Sequence, residues 1–530
     1  MSEHTKNNGT IAKSAASVGI AVMCSRVLGL IREQVFAGLF GAGFVSDAFA
    51  VAFRIPNLLR DLFAEGALSA AFVTVFSAYD KQRTQEETWQ LAVNVLNFIL
   101  ILLSIVTLLM FFFAGEIVSL LAPGFSLING KTELTVKLTR IMLPFLVFIS
   151  LSAVVMGILN TKGRFFVPAI ASSFFNLGSI IGGTTLAYVL PRYGQPAIVG
   201  MAIGTLIGGF LQLGIQIPTL YKTGFHYAPV IRITDPGLRR VITLMIPAII
   251  GLSASQIILF INTNFAASCA EGSVSWLLYA FRLVQLPIGV FGVALSIAML
   301  PVLAKQAADK NIAAMKDTMV SSLTMVFALT LPATAGLIIL SQPIIRLIYQ
   351  HGAFTSAATL ATADTLCLYA VGLFAYSANK ILVPAFYALD KTKYPVIASF
   401  LAIITNIVII KLTIDTYQHK AIALSVSCTM LINFVFLMVV LYKKLQGYSL
   451  SYLGKGFLKI GAATLALSAL LLLTRSLLAG WLTGSVIQQA AALFIIIFSA
   501  AALYTAILDR LGLAELNILT EKVRTRFKRK

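Results

Sequence analysis

A chain of 530 residues that is 58% hydrophobic and 11% charged, with a mean hydropathy of +0.91, carries too little polar surface to stay in water. The polar gaps between its apolar stretches are too short to fold by themselves, which excludes a soluble catalytic domain. The formal net charge of +20 invites a nucleic-acid reading, but its distribution has a plainer explanation in membrane topology, and no nucleic-acid partner is expected.

A bilayer core about 30 Å thick takes roughly 20 apolar residues per helical span. The pattern predicts spans over 13–40, 46–79, 88–114, 133–159, 165–190, 196–221 and 238–264, then 273–304, 317–340, 357–388, 394–414, 420–442, 457–478 and 485–508. The expected fold is therefore all-α and polytopic, with 14 transmembrane helices. Lys6 and Lys13 precede a first stretch that is longer than a signal-peptide core and lacks a clear small-residue cleavage site, so it is read as a retained helix. Cys24, Cys269, Cys367 and Cys428 show neither metal-ligand nor disulfide-framework spacing.

Fourteen spans put both ends on one side. About 26 of the 40 Lys and Arg residues fall in loops and tails on that side and about seven opposite, so the positive-inside rule makes both termini cytoplasmic. The tail beyond Arg510 carries Arg524, Arg526, Lys528, Arg529 and Lys530, suited to anionic lipid head groups.

Ala52-Phe53-Arg54 recurs as Ala280-Phe281-Arg282 at an offset of 228, and Ala67-Leu68-Ser69 recurs as Ala294-Leu295-Ser296 at 227. Pro168, Ile170, Ala171 and Ser172 recur as Pro395, Ile397, Ala398 and Ser399, also 227 apart. The offset carries span 2 onto span 8 and span 5 onto span 11. The expected architecture is two parallel six-helix lobes, 1–228 and 229–445, then two additional C-terminal helices within 446–510 and a basic tail, 511–530. Parallel repeats of this kind enclose a substrate path between them.

Seven basic residues remain inside the spans: Arg26, Arg32, Arg54, Arg60, Arg140, Arg282 and Lys380. Each mid-span Arg costs about 2.5–3.5 kcal/mol against lipid, so the four in spans 1 and 2 would together cost on the order of 10 kcal/mol. They are expected to face water or carboxylates. Glu33, Asp47, Asp61 and Glu65 are available, and Asp47, Arg54 and Asp61 fall seven apart, near one helix face. Asp47 and Arg54 are expected to line an accessible cavity. Arg140 and Lys380 have the alternative of snorkelling or binding backbone carbonyls. A cluster of guanidinium groups suits phosphate oxygens. Gly200, Gly204 and Gly208 form a small-residue face for close helix packing, and Pro287, shortly after Arg282, is the candidate for a moving bend.

No phosphate-loop, H-E-x-x-H or G-x-S-x-G pattern occurs, and the four histidines stand alone. Neither an ATPase nor a hydrolase is indicated; no enzyme activity and no cofactor are expected, and energy would come from a gradient or a partner.

The run Ser25-Arg26-Val27-Leu28-Gly29-Leu30-Ile31-Arg32-Glu33, followed by Phe40-Gly41-Ala42-Gly43, Ser46-Asp47-Ala48-Phe49, Phe53-Arg54-Ile55-Pro56-Asn57-Leu58-Leu59-Arg60 and Phe63-Ala64-Glu65-Gly66-Ala67, closely resembles the MurJ (MviN) family of lipid II flippases. Tyr279-Ala280-Phe281-Arg282-Leu283 and Pro287-Ile288-Gly289-Val290 look like the same family's span 8. The resemblance implies the fold of the multidrug/oligosaccharidyl-lipid/polysaccharide exporter superfamily, with the last two helices forming a groove for a lipid tail. It implies Arg26, Arg32, Asp47, Arg60 and Arg282 as required charged positions facing the cavity between the lobes, with Glu65 and Arg54 nearby; the expected diphosphate site is Arg26, Arg32, Arg54, Arg60 and Arg282, with Asp47 and Glu65 pairing or coupling. It also implies lipid II and membrane lipids as ligands, the cell-wall synthesis machinery as the class of protein partner, and a coupling ion of unspecified identity. Phe281 stands where many members carry an acid, Gln285 where some carry Glu, and Asp61 where some carry a second base. A same-fold exporter of another lipid-linked glycan or of a drug, and a non-transporting membrane scaffold, remain the alternatives.

Overall fold

The structure, a computed structural model, describes the backbone of residues 3–513 and 515, and the side chains of these except 3–16, 63–65 and 67. The side chains of Lys6, Lys13 and Glu65 and most of the basic tail therefore lie outside the described residues. Every regular element described is helical. In chain order these are α1 Glu3–Phe40, α2 Phe44–Leu59, α3 Ser69–Gln82, α4 Gln85–Phe112, α5 Ala114–Leu121, α6 Lys131–Met142, α7 Phe145–Thr161, α8 Phe166–Val189, α9 Ala197–Gly214, α10 Ile217–Tyr221 and α11 Pro236–Ala267. They continue as α12 Ser273–Pro287, α13 Ala294–Ala308, α14 Ile312–Ile339, α15 Ser341–Tyr349, α16 Ser356–Val371, α17 Leu373–Ala388, α18 Lys393–Tyr417, α19 His419–Lys444, α20 Leu450–Leu477, α21 Ala479–Leu482 and α22 Val486–Arg510.

Among the described residues 11 helical runs are long and apolar enough to cross a membrane, and 12 if α16 and α17, bent by 41° at Gly372, form one span. The chain is an all-α multi-pass membrane protein. Large apolar side chains stay exposed along these helices, among them Leu412, Leu465 and Ile297 at 69–78% of their full exposure. Water would not tolerate that surface, whereas hydrocarbon is its natural solvent. Two runs fall outside the count: α1, and α2 to α3. These hold Arg26, Arg32, Glu33, Asp47, Arg54, Arg60 and Asp61.

Helix ends follow local chemistry. Thr84 and Glu87 form a reciprocal capping box at the start of α4, Ser485 and Gln488 form another at α22, and Asp235 caps α11 ahead of Pro236. The irregular stretch before α11 is held from α4, where Asn97 donates to the carbonyls of Ala228 and Val230 at 2.8 and 2.9 Å and Asn94 exchanges two hydrogen bonds with the Arg232 backbone.

The chain divides into two compact units, Met1–Gly272 and Ser273–Lys530. In the first, α8 lies along α9 with backbones nearly touching, and Leu91, Phe72, Phe76, Val154 and Ile158 join α3, α4 and α7 in one core. In the second, α14 is central: Tyr504 of α22 donates to the Ala328 carbonyl at 2.6 Å, and Arg475 of α20 donates to the Ile339 carbonyl at 2.7 Å. The sequence repeat divides before α11, while the compact units divide after it. Helix α11 packs on α3, on the segment between α2 and α3, and on α4, so its contacts lie with the first unit.

The repeat has a structural counterpart. Between α2 and α3 the helix widens to a π-helix over Arg60–Leu68, and between α12 and α13 it does so over Ile288–Val293. Pro56 lies within α2 without ending it, and Pro287 immediately precedes the second π segment.

Candidate functional site

In the first unit the charged residues are carried by α1 and α2, which differ in how they hold them. The α1 face bearing Ser25, Gly29 and Arg32 packs on α8: Asn176 donates to the Ser25 carbonyl at 3.0 Å and lies beside Gly29. Arg32 lies over the Phe175 ring at 5.2 Å and pairs with Glu33 at 2.8 Å. Arg26, on another side of α1, is exposed. One turn's packing thus half-buries Arg32 and leaves Arg26 open.

On α2, Arg54 is half-buried, and Arg60, where the π segment begins, is held by Asp61 through Nε at 3.2 Å and Nη2 at 2.9 Å. Both members of that pair keep about a quarter to a third of their exposure, so the pair contributes orientation more than stability.

Asp47 differs from the expectation of an accessible wall. It is 1% exposed, and its Oδ2 accepts from Lys131 Nζ at 3.0 Å and from the Gly272 backbone at 2.8 Å. Lys131, at the start of α6, is itself 1% exposed and lies over the rings of Phe125 and Phe44. Next to this cluster the Phe44 backbone donates to Glu271 at 3.0 Å. The first turns of α2 and α6 and the end of the α11 loop are therefore tied through one buried carboxylate. Asp47 is matched by Lys131 across 84 residues, and Asp61 is bonded to its chain neighbour Arg60.

In the second unit Arg282 is exposed on α12, flanked by buried Leu283 and Val284, while Phe281 packs against Tyr369 with ring centroids 5.4 Å apart. Lys380 is exposed on α17 with its ammonium 5.7 Å from the Tyr376 ring centroid. Arg140 donates to the Phe111 carbonyl at 3.1 Å, which is the carbonyl-binding alternative. Among the described residues no group of three or more His, Cys, Asp or Glu side chains is arranged to hold a metal ion.

Four of the five arginines singled out in the sequence thus sit on two neighbouring helical runs of one unit, and the fifth sits on α12 ahead of the second unit's π segment. A family model described as lipid II flippase MurJ matches residues 36–491, a stretch that takes in α2, α12 and everything between them. The chain belongs to the MurJ lipid II flippase family. A probable lipid II flippase MurJ from Vibrio cholerae serotype O1 is 35% identical over 524 residues, covering 96% of this chain and 98% of that protein. One from Buchnera aphidicola of Acyrthosiphon pisum is 34% identical over 511 residues, with the same coverage. Among solved structures, a lipid II flippase MurJ in an inward closed conformation superposes with a TM-score of 0.77 at 30% identity, covering 93% of this chain and 99% of that one. An inward-facing multidrug MATE transporter of the MOP superfamily superposes at 0.69 with 15% identity over 80% of this chain, which is a likeness of fold. Membership in the MurJ family makes the chain a transporter of the flippase kind.

Proposed function

We propose that this protein flips lipid II, the undecaprenyl-diphosphate-linked peptidoglycan precursor, from the inner to the outer leaflet of the bacterial cytoplasmic membrane by alternating access. The observation that carries the reading is the family match along residues 36–491, with relatives a third identical over nearly the whole chain. Arg26, Arg32, Arg54, Arg60 and Arg282 bind the diphosphate. Guanidinium forks match its oxygens two at a time, and their cost in hydrocarbon is otherwise without return. Asp47 sets the position of α2 through Lys131, and Glu65 pairs with arginines when the site is empty.

In this reading α1 and the α2 to α3 run also cross the membrane, giving fourteen spans with both termini cytoplasmic. The lobes are 1–228 and 229–445, and the helices of 446–510 form a groove for the polyprenyl tail. The tail of 511–530 rests on anionic lipid, and the partners are lipid II and the cell-wall synthesis machinery.

The test is a leaflet-resolved measurement of lipid II in cells depleted of the protein and complemented with Arg26→Ala, Arg60→Ala or Arg282→Ala. Depletion is expected to hold the precursor on the inner leaflet, and each variant, inserted at normal levels, to restore little flipping. Lysine at these positions is expected to restore it only in part. An unchanged leaflet distribution on depletion would favour a scaffold, and full complementation by all three alanine variants would remove the arginine site.

A further inference from the structure

A cavity of about 340 Å³ opens at one end of the first unit, lined by Ser17 and Val18 of α1, the turn Gly163 to Val167 between α7 and α8, Thr219 of α10 and Lys222 just after it. None of its lining residues is acidic, and two are basic, Arg164 and Lys222, both exposed. The neighbouring Lys162 is already committed, bonded to Asp80 at 2.5 Å and lying over Trp89 at 4.8 Å. Among the described residues no carboxylate neutralises Arg164 or Lys222. Left-handed Gly163 and the bond from the Arg164 backbone to the Leu159 carbonyl fix the turn that presents Arg164 to the cavity.

Apart from the hydroxyls of Ser17 and Thr219, the rest of the lining is apolar. Phe165 and Phe166 are each 47% exposed, and Tyr221, beside Lys222, is 52% exposed. All of these groups lie where three membrane-crossing runs, Lys131–Thr161, Phe166–Tyr193 and Ala197–Tyr221, end or begin, the level at which aromatic side chains meet lipid head groups. Two cations beside apolar and aromatic walls, in a volume within the usual range of small-molecule pockets, ask for a ligand with an anionic head and an apolar continuation.

We propose that this cavity binds the phosphate of an anionic membrane phospholipid. Arg164 and Lys222 hold the phosphate oxygens, and Val18, Phe165, Phe166 and Val167 contact the glycerol and the first acyl carbons. The site is separate from the arginines of α1 and α2, and the proposal does not depend on what the protein transports.

The experiment uses the full chain, delipidated in neutral detergent, and measures by native mass spectrometry the uptake of phosphatidylglycerol against phosphatidylcholine. The expected result is preference for phosphatidylglycerol, with apparent affinity falling about fivefold for R164Q or K222Q alone and about 25-fold for both, from the usual contribution of one basic side chain near anionic lipid. The charge-preserving pair R164K/K222R is expected to keep the preference. Inorganic phosphate and glycerol phosphate at millimolar concentration are expected to compete weakly. Equal uptake by wild type and R164Q/K222Q, or loss in R164K/K222R as well, would overturn the proposal, and full competition by inorganic phosphate would reduce the cavity to a free-anion site and overturn its lipid assignment.

Discussion

Lys131 and Asp47 each remove a charge from water, and they are stable there only together: each is about 1% exposed, and their 3.0 Å bond is joined by the Gly272 backbone donor. Breaking such a pair from one side costs about 3–5 kcal/mol, because the remaining charge stays buried. Lys131→Met and Asp47→Asn are therefore each expected to lower the thermal unfolding midpoint sharply in detergent. The double variant Asp47→Asn/Lys131→Met should recover much of the loss, giving a coupling energy above about 1 kcal/mol in a double-mutant cycle. Strictly additive losses would mean that the pair does not act as a unit. The arginines were legible in the sequence because a guanidinium in an apolar stretch is costly wherever the helix lies. Lys131 was not: at the head of a helix next to a polar loop it reads as one more topological charge, and nothing local points to a carboxylate 84 residues away. Asp47 was singled out as a charged residue in an expected span, but its burial depends on packing that spacing along one helix does not reveal.

At the level of elements, periodic features were readable and their partners were not. The Gly200, Gly204 and Gly208 face is set against α8 at very short range: a Cβ added at Gly204 would fall 2.4 Å from the Gly183 Cα, and one at Gly200 would fall 2.3 Å from the Ala187 backbone nitrogen. These neighbours are backbone and cannot swing aside. Gly204→Ala is accordingly expected to force α8 and α9 apart and destabilise the protein by about 1–3 kcal/mol, the usual cost of overpacking. Gly214→Ala, in the same helix with nothing within 4 Å, should change stability by about 0.5 kcal/mol or less. Thermal unfolding of the two variants side by side checks this, and equal midpoints would show that the two helices separate at no cost. The π segments left a fainter trace. The repeat offset drops from 228 at Arg54/Arg282 to 227 at Ala67/Ala294, so one copy has an extra residue in that interval, and there both helices widen, over Arg60–Leu68 and Ile288–Val293. A π turn takes up such a residue without breaking the helix and is frequent at functional sites. The one-residue slip was visible in the sequence, but the widening was not, since both copies carry it whatever their lengths.

For the whole molecule, composition and charge distribution sufficed for the all-α multi-pass class, because hydrocarbon permits so few backbone solutions. The span count differs from the expected fourteen: among the described residues 11 or 12 runs are long and apolar enough, and α1 and the α2 to α3 run, rich in ionisable residues, are not among them. Those same residues bear on the energetics of the proposed transport. A diphosphate carries roughly two negative charges, and an inside-negative potential favours outward movement of each by about 2.3 kcal/mol per 100 mV. If the arginines moved across the field with their ligand, their own charge would cancel the gain. The potential assists only to the extent that the diphosphate moves relative to them. Arg32 and Arg60 are each bonded to the next residue in the chain, Glu33 at 2.8 Å and Asp61 at 2.9 Å, so each has an anionic partner on its own helix when no ligand is bound. Resetting the empty site then moves little net charge at these two positions. The expectation is that an ionophore that collapses the membrane potential at fixed pH slows the appearance of lipid II in the outer leaflet, and that neutralising Asp61 by Asp61→Asn deepens the dependence on potential. Unchanged flipping under verified depolarisation would leave an ion gradient, or consumption of the precursor outside, as the driving term.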